Sequence, residues 1–249
     1  MRKKIGQRFA LFILGLLTVF AVPATAPAIE VSATAGLDIM TDYVWRGQRL
    51  SDDHGVVQPY LEASYEGATV NFWANEDLGL SQHTETDLTL SYSLSLQRLS
   101  VDLGYIYYAL DGFDDTQELF LSVAYDIIGS PSITYYGDFD EGRGSFVVVS
   151  IGHSLDLPNN MRLSGGFSAG VNFQNAIMGL DRRGERFTNF YNGEVSASLA
   201  IPITKNLAVE PKVAYSFALN SDARTALASA NVDGDSETLY GGIGISFSF

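Results

Sequence analysis

Apolar and polar residues alternate with a period of two through most of the chain. Leu88, Leu90, Tyr92, Leu94 and Leu96 alternate with Thr89, Ser91, Ser93 and Ser95. Leu99, Val101, Leu103, Tyr105 and Tyr107 form a second such set, and Leu119, Leu121, Val123, Tyr125 and Ile127 a third. Leu163, Gly165, Phe167, Ala169 and Val171 alternate with Arg162, Ser164, Gly166 and Ser168, and the chain ends on "LYGGIGISFSF". Successive side chains of a strand point to opposite faces, so each run has one apolar face and one small or polar face. The pattern predicts about twelve strands, near 31–46, 57–66, 68–76, 85–96, 98–109, 116–127, 131–139, 144–154, 160–173, 188–201, 206–219 and 238–249. Each is long enough to cross a bilayer when tilted. Short connections at 66–67, 97, 128–130, 157–160 and 203–206 alternate with longer ones at 47–56, 77–84, 110–115, 140–143, 174–187 and 220–237. That alternation predicts an all-β fold, a transmembrane antiparallel β-barrel. The even strand number puts both chain ends on the short-turn, periplasmic side.

A soluble β-sandwich or lipocalin-like barrel would show similar periodicity with its apolar face turned inward. The non-apolar face here is rich in Ser, Thr, Gly and Asn with scattered acids, which suits a polar interior better. Aromatic residues gather near predicted strand ends: Tyr43 and Trp45, Phe72, Tyr105 and Tyr107, Phe190 and Tyr191, Phe247 and Phe249. Tyr and Trp favour a membrane–water boundary, because the ring is apolar and its edge bonds to water. Pro59 and Pro211 each remove one ladder donor and belong near a strand end or a bulge.

The amino terminus changes the picture of where the chain works. Arg2, Lys3, Lys4 and Arg8 precede the apolar run "LFILGLLTVFAV" and the small-residue stretch "PATAPA". This is the layout of a secretory signal peptide, with cleavage expected after Ala28. Residues 29–249 then form one barrel in the outer membrane of a Gram-negative-type bacterium. Removing those four basic residues takes the formal charge from −14 to −18, which argues against a nucleic-acid partner. There are no cysteines to staple an exported fold. No cofactor is expected.

Ile243, Ile245, Phe247 and the terminal Phe249 step by two along the last strand. This resembles the carboxy-terminal signal by which the barrel-assembly machinery reads outer-membrane barrels. A second resemblance covers about residues 32–76. There "GLDIMTDYVWRGQRLSDDHGVVQPYLEASYEGATVNFWANED" is similar to the opening of the TorF-like porin family. Tyr43, Val44, Trp45, Arg46 and Gly47 carry the match, in an aromatic-Val-aromatic-Arg-Gly segment after the first strand. The resemblance implies an outer-membrane channel for small solutes.

With apolar residues facing lipid, the opposite face gives a lumen set: Asp38, Asp42, Arg46, Glu62, Asp102, Arg162, Glu194, Glu210 and Lys212. A charge facing lipid at mid-bilayer costs ~2–4 kcal/mol, so these are expected inside. They line either an aqueous path for polar or cationic solutes or a salt-bridged, filled interior. Tyr43, Trp45, Phe247 and Phe249 are expected at the membrane interface. In this reading Asp42 lies near Glu62, and Arg46 lies near Gln58 and Tyr60, neutralising the acids at the seam. Room for the arginine stem comes from Gly242 and Gly244. The acidic loops "DGFDD", "GDFDEGR" and "DGDSE" lack an EF-hand pattern and suit solvated contacts with lipopolysaccharide. Two other classes stand beside the channel. An adhesin would act through its long loops. A lipid hydrolase would need Ser and His in mutual reach, but the adjacent pair His153–Ser154 points to opposite faces of a strand. The expectation is therefore a non-enzyme.

Overall fold

Residues 31–249 are described by a computed structural model. The predicted signal peptide lies outside the described residues. The alternating runs fold into β1 (Ser32–Met40), β2 (Val44–Trp45), β3 (Gln48–Arg49), β4 (Val56–Tyr65), β5 (Ala68–Asp77), β6 (Gln82–Leu96) and β7 (Leu99–Leu110). They continue as β8 (Thr116–Tyr125), β9 (Ser132–Asp138), β10 (Gly144–Asp156), β11 (Arg162–Phe173), β12 (Thr188–Pro202), β13 (Leu207–Ala218) and β14 (Glu237–Ser248). Twelve of them form a closed barrel in which β1 pairs with both β4 and β14, every pairing antiparallel. β2 and β3 pair only with each other.

Closure leaves the barrel no free edge, so each of its twelve strands is paired on both sides. The apolar sets of the alternating runs, such as Leu88–Leu94 on β6 and Leu119 and Leu121 on β8, stand exposed on the outside. Their polar neighbours turn inward and bond across strands. Ser64 meets Thr69 at 2.7 Å, Ser122 meets Thr134 at 2.9 Å, Ser132 meets Ser150 at 2.6 Å and Ser154 meets Ser164 at 2.9 Å. These small hydroxyls satisfy the inner face without filling it.

Both prolines lie inside strands rather than at their ends. Pro59 pairs with Leu37 on β1, yet the β4–β5 ladder skips from Val57–Glu76 to Tyr60–Trp73. Pro211 pairs with Ile243 on β14, yet the β12–β13 ladder skips from Ser198–Lys212 to Ile201–Val209. In each case the ladder breaks on one side of the residue that has no N–H to offer.

Two features depart from the sequence expectation. The first strand ends at Met40, not at residue 46. The long connection after β13 contains a helix, α1 (Ser221–Ala230). Asn220 caps it, its side chain accepting from the N–H groups of Asp222 (2.8 Å) and Ala223 (3.1 Å), and Asp222 sits in the first turn. One face of α1 buries Ala223, Ala226 and Leu227 against Phe146, Met178, Phe187 and Tyr191. This buried apolar cluster therefore sits at the long-loop end of the barrel.

Candidate functional site

The segment "DYVWRGQR" continues the alternation of β1 but does not continue its pairing. Trp45 pairs with Gln48 and Val44 with Arg49, so the chain reverses across Arg46 and Gly47. Their φ angles are 50° and 84°. Two successive residues with positive φ make the tight two-residue turn that matches strand twist in a hairpin. Glycine is required at the second position twice over. Besides its φ, a Cβ there would come 2.9 Å from Asn192 Cβ and 3.3 Å from Ser216 Oγ. The turn thus abuts the inner wall formed by β12 and β13, and the hairpin reaches into the barrel.

Three polar anchors hold it. Arg46 donates two bonds to Glu118 on β8, Nη1 to Oε1 at 2.7 Å and Nη2 to Oε2 at 2.6 Å. The guanidinium also lies 4.3 Å from the Trp45 ring centroid, 4.5 Å from that of Tyr136 and 4.8 Å from that of Phe146. These distances are within cation–π range. The Tyr108 hydroxyl donates to Glu118 Oε2 at 2.9 Å. Gln48 Nε2 donates to the carbonyl of Ile177 at 2.9 Å and to the Tyr191 hydroxyl at 3.2 Å. Arg49 donates its N–H to Asn231 Oδ1 at 2.8 Å and pairs with Asp53 (2.6 Å) and Asp233 (2.5 Å). The hairpin is therefore tied to the wall, to the loop after β11 and to the segment after α1.

Tyr43 and Trp45 correct the sequence reading most. Both were expected at the lipid boundary, and both lie inside. Tyr43 is buried, its ring 5.3 Å from Trp73, and its N–H donates to Ser51 Oγ at 2.9 Å. Trp45 is half-buried, edge-on to Tyr108 at 6.0 Å. The cause is the hairpin: both faces of so short a ribbon meet protein, so its alternation sorts nothing between lipid and lumen. Asp42 and Arg46 are interior, but on the hairpin rather than on β1. Asp42 lies 3.8 Å from Arg49, not beside Glu62, and Arg46 meets Glu118, not Gln58 or Tyr60. Glu62 instead pairs in register with Thr34 and accepts from Asn71 at 3.4 Å.

The remaining charges stand on barrel strands. Lys212 Nζ donates to Asp38 Oδ1 at 2.9 Å, across Gly244 of β14. The glycine gap at the seam holds this lysine instead of the arginine assigned to it. Glu194 accepts from the Tyr240 hydroxyl at 2.8 Å. Glu194, Glu210, Lys212, Tyr240, Ser196 and Ser198 help line a cavity of about 880 Å³ below the hairpin, which extends to the short turn at 126–130. Asp102 shares the inward phase of β7, opposite Ser93 and Ser122. Arg162 stands largely exposed at the rim, paired with Asp156 at 2.9 Å. Phe247 and Phe249 are exposed at the end of β14, their ring centroids 5.9 Å apart. Ser154 bonds Ser164 on the inner face, while its neighbour His153 belongs to the outward set. Among the described residues no group of three or more His, Asp or Glu is placed to hold a metal ion.

Twelve antiparallel strands closed on a polar interior, with an apolar outer band, define a porin-like barrel. No family model matches the sequence, and no curated protein matches it. Among solved structures the chain is similar to the KdgM porin, with a TM-score of 0.57 and 11% identity over 87% of this chain and 99% of that one. It is likewise similar to the NanC porin, with a TM-score of 0.54 and 11% identity over 87% and 98% of the two chains. A second KdgM structure, in complex with disordered oligogalacturonate, gives a TM-score of 0.55 at 11% identity over 88% and 99%. These likenesses are of fold.

Proposed function

We propose that this chain is an outer-membrane channel, narrowed in its outer half by the first loop, that passes small neutral or cationic solutes. Lipid covers its exposed apolar band, with lipopolysaccharide at the outer loops, and the assembly machinery reads its last strand. The resemblance of residues 32–76 to TorF-like porins points the same way. The carrying observation is the charge of the cavity wall. Glu194 and Glu210 line it, and Lys212, its one lysine or arginine among the described residues, is tied to Asp38. Asp102 and Glu62 add further acid on the inner face. A low-dielectric wall focuses that negative potential on the lumen and concentrates cations there. A polyanion such as oligogalacturonate, bound by the KdgM porin, would meet repulsion here.

Reversal potentials across a planar bilayer under a salt gradient test the reading. Cation preference is expected, strongest at low salt and fading as screening shortens the reach of the wall charges. Glu194→Gln with Glu210→Gln should weaken it. Anion preference at low salt would overturn the sign of the proposal, and absence of conductance under all conditions would overturn the channel.

A further inference from the structure

The seat of Arg46 is built almost wholly from the barrel wall. Tyr108, Glu118, Tyr136 and Phe146 come from four consecutive strands, β7 to β10, and all turn inward. Tyr136 and Phe146 are register partners, so their rings stand side by side. Tyr108 fixes one oxygen of Glu118 with its hydroxyl. The Glu118 side chain is 1% exposed, and it accepts from the guanidinium as well as from Tyr108. A carboxylate buried against aromatic faces keeps its charge at low cost only with a cation beside it. The occupant, however, is not part of the wall. It is carried on a two-residue turn of a ribbon that shares no ladder with the barrel.

We propose that Glu118, Tyr108, Tyr136 and Phe146 form a guanidinium-binding site on the inner wall. Arg46 fills it at rest, and a solute bearing a guanidinium group fills it when the hairpin lifts. Two parallel bonds to one carboxylate match a planar fork and not an ammonium, which is a compact point charge. The aromatic faces suit a weakly hydrated, delocalised cation for the same reason. The site goes beyond the channel reading and does not depend on it, because binding is measurable without transport. Arg46 has the advantage of tethering, which gives it a high effective concentration. A free guanidinium competes poorly with it in the parent protein and well once it is removed.

The test empties the seat and refills it. Arg46→Asn removes the guanidinium while keeping a residue that accepts positive φ in a hairpin turn. In detergent its heat-modification midpoint should fall below the parent's. Millimolar methylguanidinium should raise it again by a few degrees, saturably, because a ligand that binds only the folded state stabilises it by mass action. Methylammonium and sodium at equal concentration should not, and the Arg46→Asn, Glu118→Gln double variant should not respond. A missing rise, an equal rise with methylammonium, or a rise in the double variant would each overturn the site. Should Arg46→Asn fail to fold, Trp45 fluorescence in a Trp73→Phe background replaces it. Methylguanidinium should then change the signal saturably, at higher concentration, and Glu118→Gln should abolish the change. A flat titration there overturns the site equally.

Discussion

Arg46 has a φ of 50°, in the left-handed region that residues other than glycine rarely occupy. Strain of this kind costs on the order of 1–3 kcal/mol. Against it stands a two-bond ion pair in which both side chains are almost fully buried, 8% and 1% exposed. Removing one member of such a pair strands the other and costs about 3–5 kcal/mol. The pair therefore outweighs the strain. Arg46→Gly, which relieves the turn and deletes the pair, should lower the urea midpoint of the detergent-folded barrel. Arg46→Lys keeps a charge but loses the fork, and should fall between the two. A glycine variant as stable as the parent would mean that turn strain dominates and that the pair contributes little.

The β2–β3 ribbon is held inside the barrel by anchors on elements remote in sequence: Glu118 on β8, Ile177 after β11, Tyr191 on β12 and Asn231 after α1. Replacing residues 42–51 with a short Gly-Ser linker should raise single-channel conductance several-fold and lower the unfolding temperature, since Trp45 packs on the apolar cluster at the barrel mouth. Unchanged conductance would show that the ribbon does not obstruct the path. Barrel strands were legible because an apolar outer face and a polar inner face impose a period of two. The ribbon obeys the same period for another reason, its own pairing, so Asp42 to Arg46 read as an extension of β1. Arg-Gly as a turn was the available local signal. The partner Glu118, 72 residues away, gave none. Helix α1 was missed inside a segment taken as loop, although Asn220, Asp222 and the alanines that follow form a recognisable helix start.

Barrel closure depends on β14, which must lie between β13 and β1. The charges that cross this seam, Asp38 and Lys212, were both placed inward from alternation alone, but their meeting was not, because it depends on strand register. Glycine makes that register possible. A Cβ on Gly244 would fall 2.6 Å from Asp38 Oδ1 and 3.3 Å from Lys212 Nζ, against side-chain ends that can swing away. A Cβ on Gly242 would fall 2.1 Å from the carbonyl oxygen of Ile39 and 2.8 Å from Met40 Cα, against backbone that is itself held in the ladder. The two glycines should therefore differ in tolerance. Gly244→Ala should assemble at near-parent levels with a loosened Asp38–Lys212 pair and a modest fall in heat-modification midpoint. Gly242→Ala must push β1 away from β14 at the mouth, where Met40 pairs with Gly242 and the N–H of Thr41 still bonds the carbonyl of Gly241 at 2.8 Å. It should leave much of the protein unclosed. Heat-modifiability of membrane-extracted protein, quantified for both variants, decides between them. Equal assembly of Gly242→Ala and parent would show that the first and last strands close with slack, and that the seam is set by the Ala33–Phe249 end instead, where the two backbones exchange bonds of 3.1 and 2.9 Å.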